Sequence, residues 1–291
     1  MVSLRRTSKI IPLSEAVAMV HSGDVLGVGG MTLYRKPMAF IRELIRSGTG
    51  DLTLLTFTSS IEAELLALAG KLRAIRTCYM GLEFLGLAPA LRYATQRGDI
   101  AIVEETEFTI SYGLQASLMH VPYLPGRDCE VGTDYFRIRH DLKRAPCPIT
   151  GEELTWFPAV SPRVALIHAP MADERGNVWL GGQYCLDAQM AMAAETVIVT
   201  TERIASTAEI REAQGSADVV SFMVHAVVEA PGGAHPTSCY PNYPTDVVHI
   251  ANYLKESRSS GSLSYLNRFV LLPLSLQEYL LRVTEEHDAA S

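Results

Sequence analysis

Apolar positions over the first 120 or so residues fall into short blocks whose period alternates between that of a strand and that of a helix. "LSEAVAMVHSG" has helical spacing, with Ser14 placed as an N-cap and Gly23 as a stop. "VLGVGG" follows as a strand, and "KPMAFIRELIRSG" as a helix with Pro37 in its first turn and Gly48 past its end. "DLTLLTFTS" is a continuous run of the kind a buried strand carries. The alternation continues with helix "IEAELLALAGKL", strand "AIRTCYM", helix "APALRYATQRG", strand "DIAIVEET" and helix "FTISYGLQASLMH", which stops before Pro122. Repeated βα units of this length predict an α/β fold: an open, parallel-rich sheet covered by helices.

The pattern then breaks. Between "VPYLPGRD" and "CPITGEELTWF" prolines and glycines interrupt every period, which predicts irregular excursions and short strands rather than a separate domain. Strand character returns in "RVALIHAP" and "ETVIVTTERI", with a helix beginning near Asp187 between them, and "DVVSFMVHAVVEAPGG" offers one or two strands more. From Ser257, "SRSSGSLS" reads as a linker, and "RFVLLPLSLQEYLLRVTEEHD" ends in an amphipathic helix. The expected organisation is one domain over residues 1–256 and a linker plus helix over 257–291.

Composition narrows the classes. Apolar residues make up 48% of the 291, enough for a sizeable core, and a net charge of −7 without a basic stripe argues against nucleic-acid binding. No stretch is long and apolar enough for a membrane span, and the N-terminus lacks the apolar run of a signal peptide, so a cytoplasmic protein is expected. The five cysteines (Cys78, Cys129, Cys147, Cys185, Cys239) are odd in number, widely spaced and free of any CxxC pair, which suits reduced thiols.

Three places carry candidate chemistry. Gly27, Gly29 and Gly30 close a strand and open onto a helix, where backbone N–H groups can face an anion. The spacing fits neither a P-loop nor a dinucleotide fingerprint, which leaves a tight βα turn or an oxyanion-stabilising loop. In "VEETEF", Glu104 and Glu105 suit solvation or capping, while Glu107 starts a helix at the carboxyl edge of the sheet, where a carboxylate can act as base or nucleophile. "EAPGGAHPTSCY" sets Gly232, Gly233, His235 and Ser238 in a constrained loop, and His168 ends a strand; each His suits either a satisfied hydrogen-bonding role or chemistry. No grouping has metal-ligand spacing, so no metal is expected.

Taken in order, "HSGDVLGVGGMTLYRKPMAF", "VPYLP", "VALIHAPMADERGNV", "LGGQYCLDAQMAMAAETVIVTTERI" and "HAVVEAPGGAHPTSCY" resemble the alpha subunits of family I coenzyme A-transferases. The likeness is to the glutaconate type and to the related steroid-ring-degrading CoA hydrolase alpha subunits. The resemblance implies the CoA-transferase/NagB-like fold, and a beta subunit of the same family in an α2β2 assembly whose active site lies between the chains. It implies a coenzyme A thioester and a carboxylate as substrates, with no bound cofactor. It also implies a catalytic glutamate on the beta chain that forms an anhydride and then a glutamyl-CoA thioester. Gly29, Gly30, Arg35, Lys36, Gly232, Gly233 and His235 would then bind substrate or CoA or stabilise an oxyanion. In the hydrolase relatives a glutamate just ahead of the "GLQ" helix acts as base, and Glu107 stands at the matching distance from Gly113. A third reading is a protein that only binds acyl-CoA or shapes its partner.

Overall fold

The computed structural model describes residues 8–127, 132–259 and 263–290. In chain order the first half runs α1 (Leu13–Val17), β1 (Val25–Met31), α2 (Met38–Arg46), β2 (Leu52–Ser59), α3 (Ile61–Leu68), β3 (Leu72–Thr77) and β4 (Tyr79–Met80). It continues through α4 (Pro89–Gln96), β5 (Ala101–Glu104) and α5 (Glu107–Leu118). An excursion holds β6 (Tyr123–Arg127), α6 (Tyr135–Ile138), β7 (Lys143–Pro146) and β8 (Glu153–Pro158). The second run is β9 (Val164–Asp173), β10 (Val178–Trp179), α7 (Asp187–Ala193), β11 (Thr196–Ala205), α8 (Thr207–Gln214) and β12 (Ala226–Glu229). It is followed by α9 (Val247–Ser259), α10 (Leu263–Leu266) and α11 (Leu276–Ala290).

The main sheet has the order β12-β11-β9-β1-β2-β3-β5, every neighbour parallel, with β4 added beside β2 and β10 antiparallel on β9. The chain therefore winds outward from β1 on one side and from β9 on the other. The crevice beyond the carboxyl ends of β1 and β9 is the topological switch point, where open α/β sheets bind ligands. All ten residues of β9 are buried, as a strand covered on both faces requires. Its alternate side chains serve two cores. Leu166 joins Leu26, Val28, Phe40, Leu44, Tyr265 and Phe269 on one face, while Ala165 and Ile167 join Met190, Val197 and Val199 on the other.

The fold follows the expected pattern in some places and departs from it in others. The first helix ends at Val17, with Pro12 rather than Ser14 as its N-cap, because Ser14 already lies inside the helical turn. "DVVSFMVHAVVEAPGG" supplies one named strand, β12, preceded by turns that leave only a bridge from Val219 to Val178. The excursion forms a three-stranded antiparallel sheet, β6-β8-β7. The boundary expected at 257 falls inside α9, and Tyr265, Phe269, Val270, Tyr279 and Val283 pack into the same core as α2 and β1. Arg46 of α2 donates to the Val270 and Pro273 carbonyls (2.7 and 3.0 Å), tying the C-terminal segment to the first half. Cys129 lies outside the described residues. Among those residues no helix is long and apolar enough to cross a membrane.

Candidate active site

A cavity of about 710 Å³ opens at the carboxyl ends of β1, β2, β3 and β5. Its wall includes Thr32, Thr58, Cys78, Glu83, Glu105 and Glu107. Parallel strands end here together, and each contributes the polar residues that follow its last apolar position. Glu107 is the first residue of α5, exposed at the cavity. Its helix is opened by a capping box in which Thr106 and Thr109 each bond the other's backbone N–H. The capping fixes the direction in which the chain enters α5, and the helix dipole favours a negative charge at that end.

Behind Glu107 lies Glu105, buried and paired with two arginines. Arg76 Nε donates to its Oε1 (2.9 Å) and Arg139 Nη1 to its Oε2 (2.7 Å). Cys78 borders the same space. Burial first, and then the charges of Glu107 and Glu105, push its thiol up to about 11, so it stays protonated at neutral pH. Its S–H donates to the Phe57 carbonyl (2.8 Å).

The glycine turn sits beside this cavity, but the Gly30 N–H faces inward. Gly30 N–H donates to Asp187 Oδ1 (3.0 Å), and Gly30 has φ +73°, a conformation a side chain strains. A Cβ on Gly29 would overlap the same carboxylate oxygen. The turn is thus shaped around Asp187, and the Gly30 N–H expected for an oxyanion is already occupied. Arg35 and Lys36, expected at the substrate, are both buried. Arg35 pairs with Asp187 (3.3 Å) and donates to the His168 and Gln183 carbonyls (2.8 and 2.7 Å). Lys36 pairs with Glu62 (3.1 Å) and donates to Thr56 Oγ1 and the Thr58 carbonyl (3.0 and 2.8 Å). Buried cations need such partners, and these two use theirs to hold the turn together.

The "PGGAHP" loop docks directly on this turn. Arg35 N–H donates to the Ser238 carbonyl (2.7 Å), Ser238 N–H to the Leu33 carbonyl (2.9 Å), and Ala39 N–H to the Gly233 carbonyl (2.8 Å). The two motifs meet in space, yet none of Gly232, Gly233 or His235 lines the 710 Å³ cavity. Gly232 N–H donates to Glu202 Oε2 (2.7 Å). His235 is held between Tyr279 (2.7 Å) and Asp246 (2.9 Å), and burial pushes its imidazole down to about 4, against the pull of Asp246.

His168 contacts Thr200 through Nδ1 and Glu202 through Nε2, both at 2.8 Å. Tyr243 also donates to Glu202. Burial opposes ionisation of Glu202, but the bonds from His168, Tyr243 and Gly232 outweigh it and hold its carboxyl below the usual range. The fold brings one donor atom each of His168, Glu202 and Cys239 within 4.8 Å of one another, a grouping with metal-ligand geometry that the spacing in sequence did not reveal. Burial pushes the Cys239 thiol well up, and the His168 and Glu202 donors already bond each other. This chemistry fits a closed hydrogen-bond network better than an open metal site.

Sequence reasoning missed Asp187, Glu62, Glu83 and Arg139. Glu83 was findable: it follows "AIRTCYM" at a strand's carboxyl end, and it accepts a bond from Thr32. Arg139 had no local signal, being 34 residues from Glu105 in an irregular segment. Tyr112 of α5 packs on Phe157 of β8 (ring centroids 4.8 Å).

The coenzyme A transferase family model matches residues 11–230. The chain is 32% identical over 270 residues to the alpha subunit of glutaconate CoA-transferase from Acidaminococcus fermentans, covering 87% of this chain and 84% of that one. The crystal structure of that transferase superposes with a TM-score of 0.86 at 29% identity, over 95% of this chain and 93% of that one. The chain is also 34% identical over 272 residues to the cholesterol ring-cleaving hydrolase IpdA subunit of Rhodococcus jostii, covering 89% of this chain and 90% of that one. A structure of a decarboxylase AibA/AibB variant matches with a TM-score of 0.82 at 32% identity, over 90% of this chain and 97% of that one. Against an uncharacterized Archaeoglobus fulgidus protein, 33% identical over 282 residues, this chain spans only 63% of the longer protein's length. With the family model matched over most of its length and relatives above 30% identity on both sides, the chain belongs to the coenzyme A transferase family.

Proposed function

We propose that this chain is the alpha subunit of a heteromeric CoA-transferase that moves CoA between an acyl-CoA and a carboxylic acid, paired with a beta subunit in an α2β2 assembly. The observation that carries this reading, beyond family membership, is the charge of the cavity. Among the described residues its lining includes Glu83, Glu104, Glu105 and Glu107 and no lysine or arginine. The phosphates of CoA need cationic or N–H partners, so the nucleotide end lies outside this cavity, on a surface the partner helps to build. The cavity is left to the acyl end.

In this reading a carboxylate on the partner attacks the thioester carbonyl, giving an anhydride and CoA thiolate. The thiolate then attacks the glutamyl carbonyl, forming glutamyl-CoA and releasing the first acid. The acceptor acid runs the same steps in reverse. The thioester energy is conserved because each bond broken is replaced by one of similar reactivity.

One observation favours a second reading, hydrolysis with Glu107 as base. Glu107 is an exposed carboxylate of this chain at the cavity itself, placed by a capped helix start. Such a group can take a proton from water attacking a carbonyl. A protein that only binds acyl-CoA would turn nothing over. Glu107→Gln in the assembled complex separates these readings. As a general base, its loss lowers kcat/KM by about 10²–10⁴-fold. Turnover that stays near the wild-type value removes Glu107 as base and leaves the chemistry with the partner.

A further inference from the structure

Tyr135 of α6 and Arg139 just after it grip the turn that leads into α5. Arg139, 5% exposed, is the centre of this grip. Its Nη1 donates to the Glu104 carbonyl (2.7 Å) and to Glu105 Oε2 (2.7 Å), and contacts the Tyr135 hydroxyl (2.9 Å). Its Nε and Nη2 both donate to Asp141 (2.8 Å each), which fixes the plane of the guanidinium. Tyr135 also donates to the Glu104 carbonyl (2.9 Å) and meets Thr109 Oγ1 (3.0 Å), the residue that closes the capping box of α5. Two side chains of the excursion therefore hold one backbone carbonyl, two residues ahead of Thr106. Neither lines the cavity.

We propose that Arg139 is a positioning residue for the reaction: it fixes the turn that presents Glu107 to the cavity and, together with Arg76, offsets the negative charges of Glu105 and Asp141 behind it. The inference rests on the reading above only in taking this cavity as the acyl site. It holds whether the reacting carboxylate is Glu107 or a glutamate of the partner. A reacting carboxylate must be ionised, and every uncompensated negative charge beside it opposes ionisation. The charged and titratable groups around this mouth, among the described residues, are Arg76 and Cys78 from β3 and its end, Tyr79 of β4, Glu83 from the turn after β4, Glu104 and Glu105 at the end of β5, Glu107 of α5, and Tyr135, Arg139 and Asp141 from the excursion. Arginine is the only cation type among them, and Arg139 is the more buried of the two arginines.

The test uses the assembled complex and the pH dependence of kcat/KM for acyl-CoA consumption. Arg139→Met leaves Arg76 alone against Glu105 and Asp141, one uncompensated negative charge behind the mouth, and the acid limb of the profile moves to higher pH by about one unit. Adding Glu105→Gln in the same chain removes that charge, and the limb returns to the wild-type position. The lowered kcat persists, because the turn is still unclamped. A purely structural arginine would lower activity without moving the limb. An acid limb that coincides with the wild type in Arg139→Met, or a double variant no different from the single one, overturns the inference. Should Arg139→Met fail to fold, Arg139→Lys keeps the charge and loses the fork of contacts. It then lowers kcat at least several-fold with the limb in place, and a wild-type kcat in that variant overturns the inference. Failure of the transferase reading appears separately, as loss of turnover in Glu107→Gln.

Discussion

A methyl group at Gly29 would overlap Asp187 Oδ1, and Asp187 in turn holds Arg35, with both side chains 1% exposed. Gly29→Ala must therefore displace one member of a buried ion pair. Breaking such a pair costs about 3–5 kcal/mol, and partial relaxation brings the expected loss for Gly29→Ala to about 2–4 kcal/mol. Urea unfolding measures it, with Gly48→Ala, which meets nothing within 4 Å, as a control expected to stay within about 0.5 kcal/mol. Unchanged stability with lost turnover would restore a ligand role to the turn. At this scale the residue types were legible and their direction was not. "GGMTLYRKP" advertises glycines and cations, but whether Arg35 and Lys36 face a ligand depends on counter-ions at Asp187 and Glu62. The first of these lies 152 positions away. Glu107 was legible because helix starts at a sheet's carboxyl edge have a local signature.

At the level of elements, α9 and α11 meet the "PGGAHP" loop through a histidine cluster. His235 reaches Tyr279 of α11 and Asp246 just ahead of α9, and His287 of α11 meets the same carboxylate (2.9 Å). His249 of α9 joins Glu286 and Tyr265 (2.6 and 2.8 Å). Burial pushes His235 down to about 4 from an ordinary value of 6.5. The unfolded chain thus binds the extra proton between those two values. The stability this neutral imidazole supports is complete above about pH 6.5 and is lost as the pH falls toward 4. Asp246, pushed down to about 2, adds its own loss only below its ordinary 3.8. The urea midpoint should fall between pH 7 and 4.5, and His235→Gln should flatten part of that slope. An identical slope in the variant would assign the dependence elsewhere. The βα alternation of the first half was readable from periodicity, because β1 and β2 are almost wholly buried apolar runs and α4 buries one face through Leu91 and Ala94. The long helix α9 was not, since its apolar contacts at Ile250, Tyr253 and Leu254 answer a tertiary surface made by α2, α3 and the C-terminal segment.

For the whole molecule, the doubly wound order gathers motifs from distant parts of the chain at one edge of one sheet. The order of those motifs along the chain, more than any single one, identified the family. Among the described residues the cavity is lined by carboxylates and by no lysine or arginine, and Arg76 and Arg139 behind it are committed to Glu105. The proposed transferase shares its site between two subunits and carries its covalent step on the partner. Covalent trapping on the complex purified through this chain distinguishes the two sites of chemistry. Acyl-CoA is added, borohydride reduces any glutamyl-CoA thioester, and peptide mass spectrometry locates the reduced glutamate. The account predicts one modified glutamate, on the partner subunit, with none on this chain. Release of free CoA or a ring-opened thioester in water, without any modified glutamate, would contradict it and move the chemistry to Glu107.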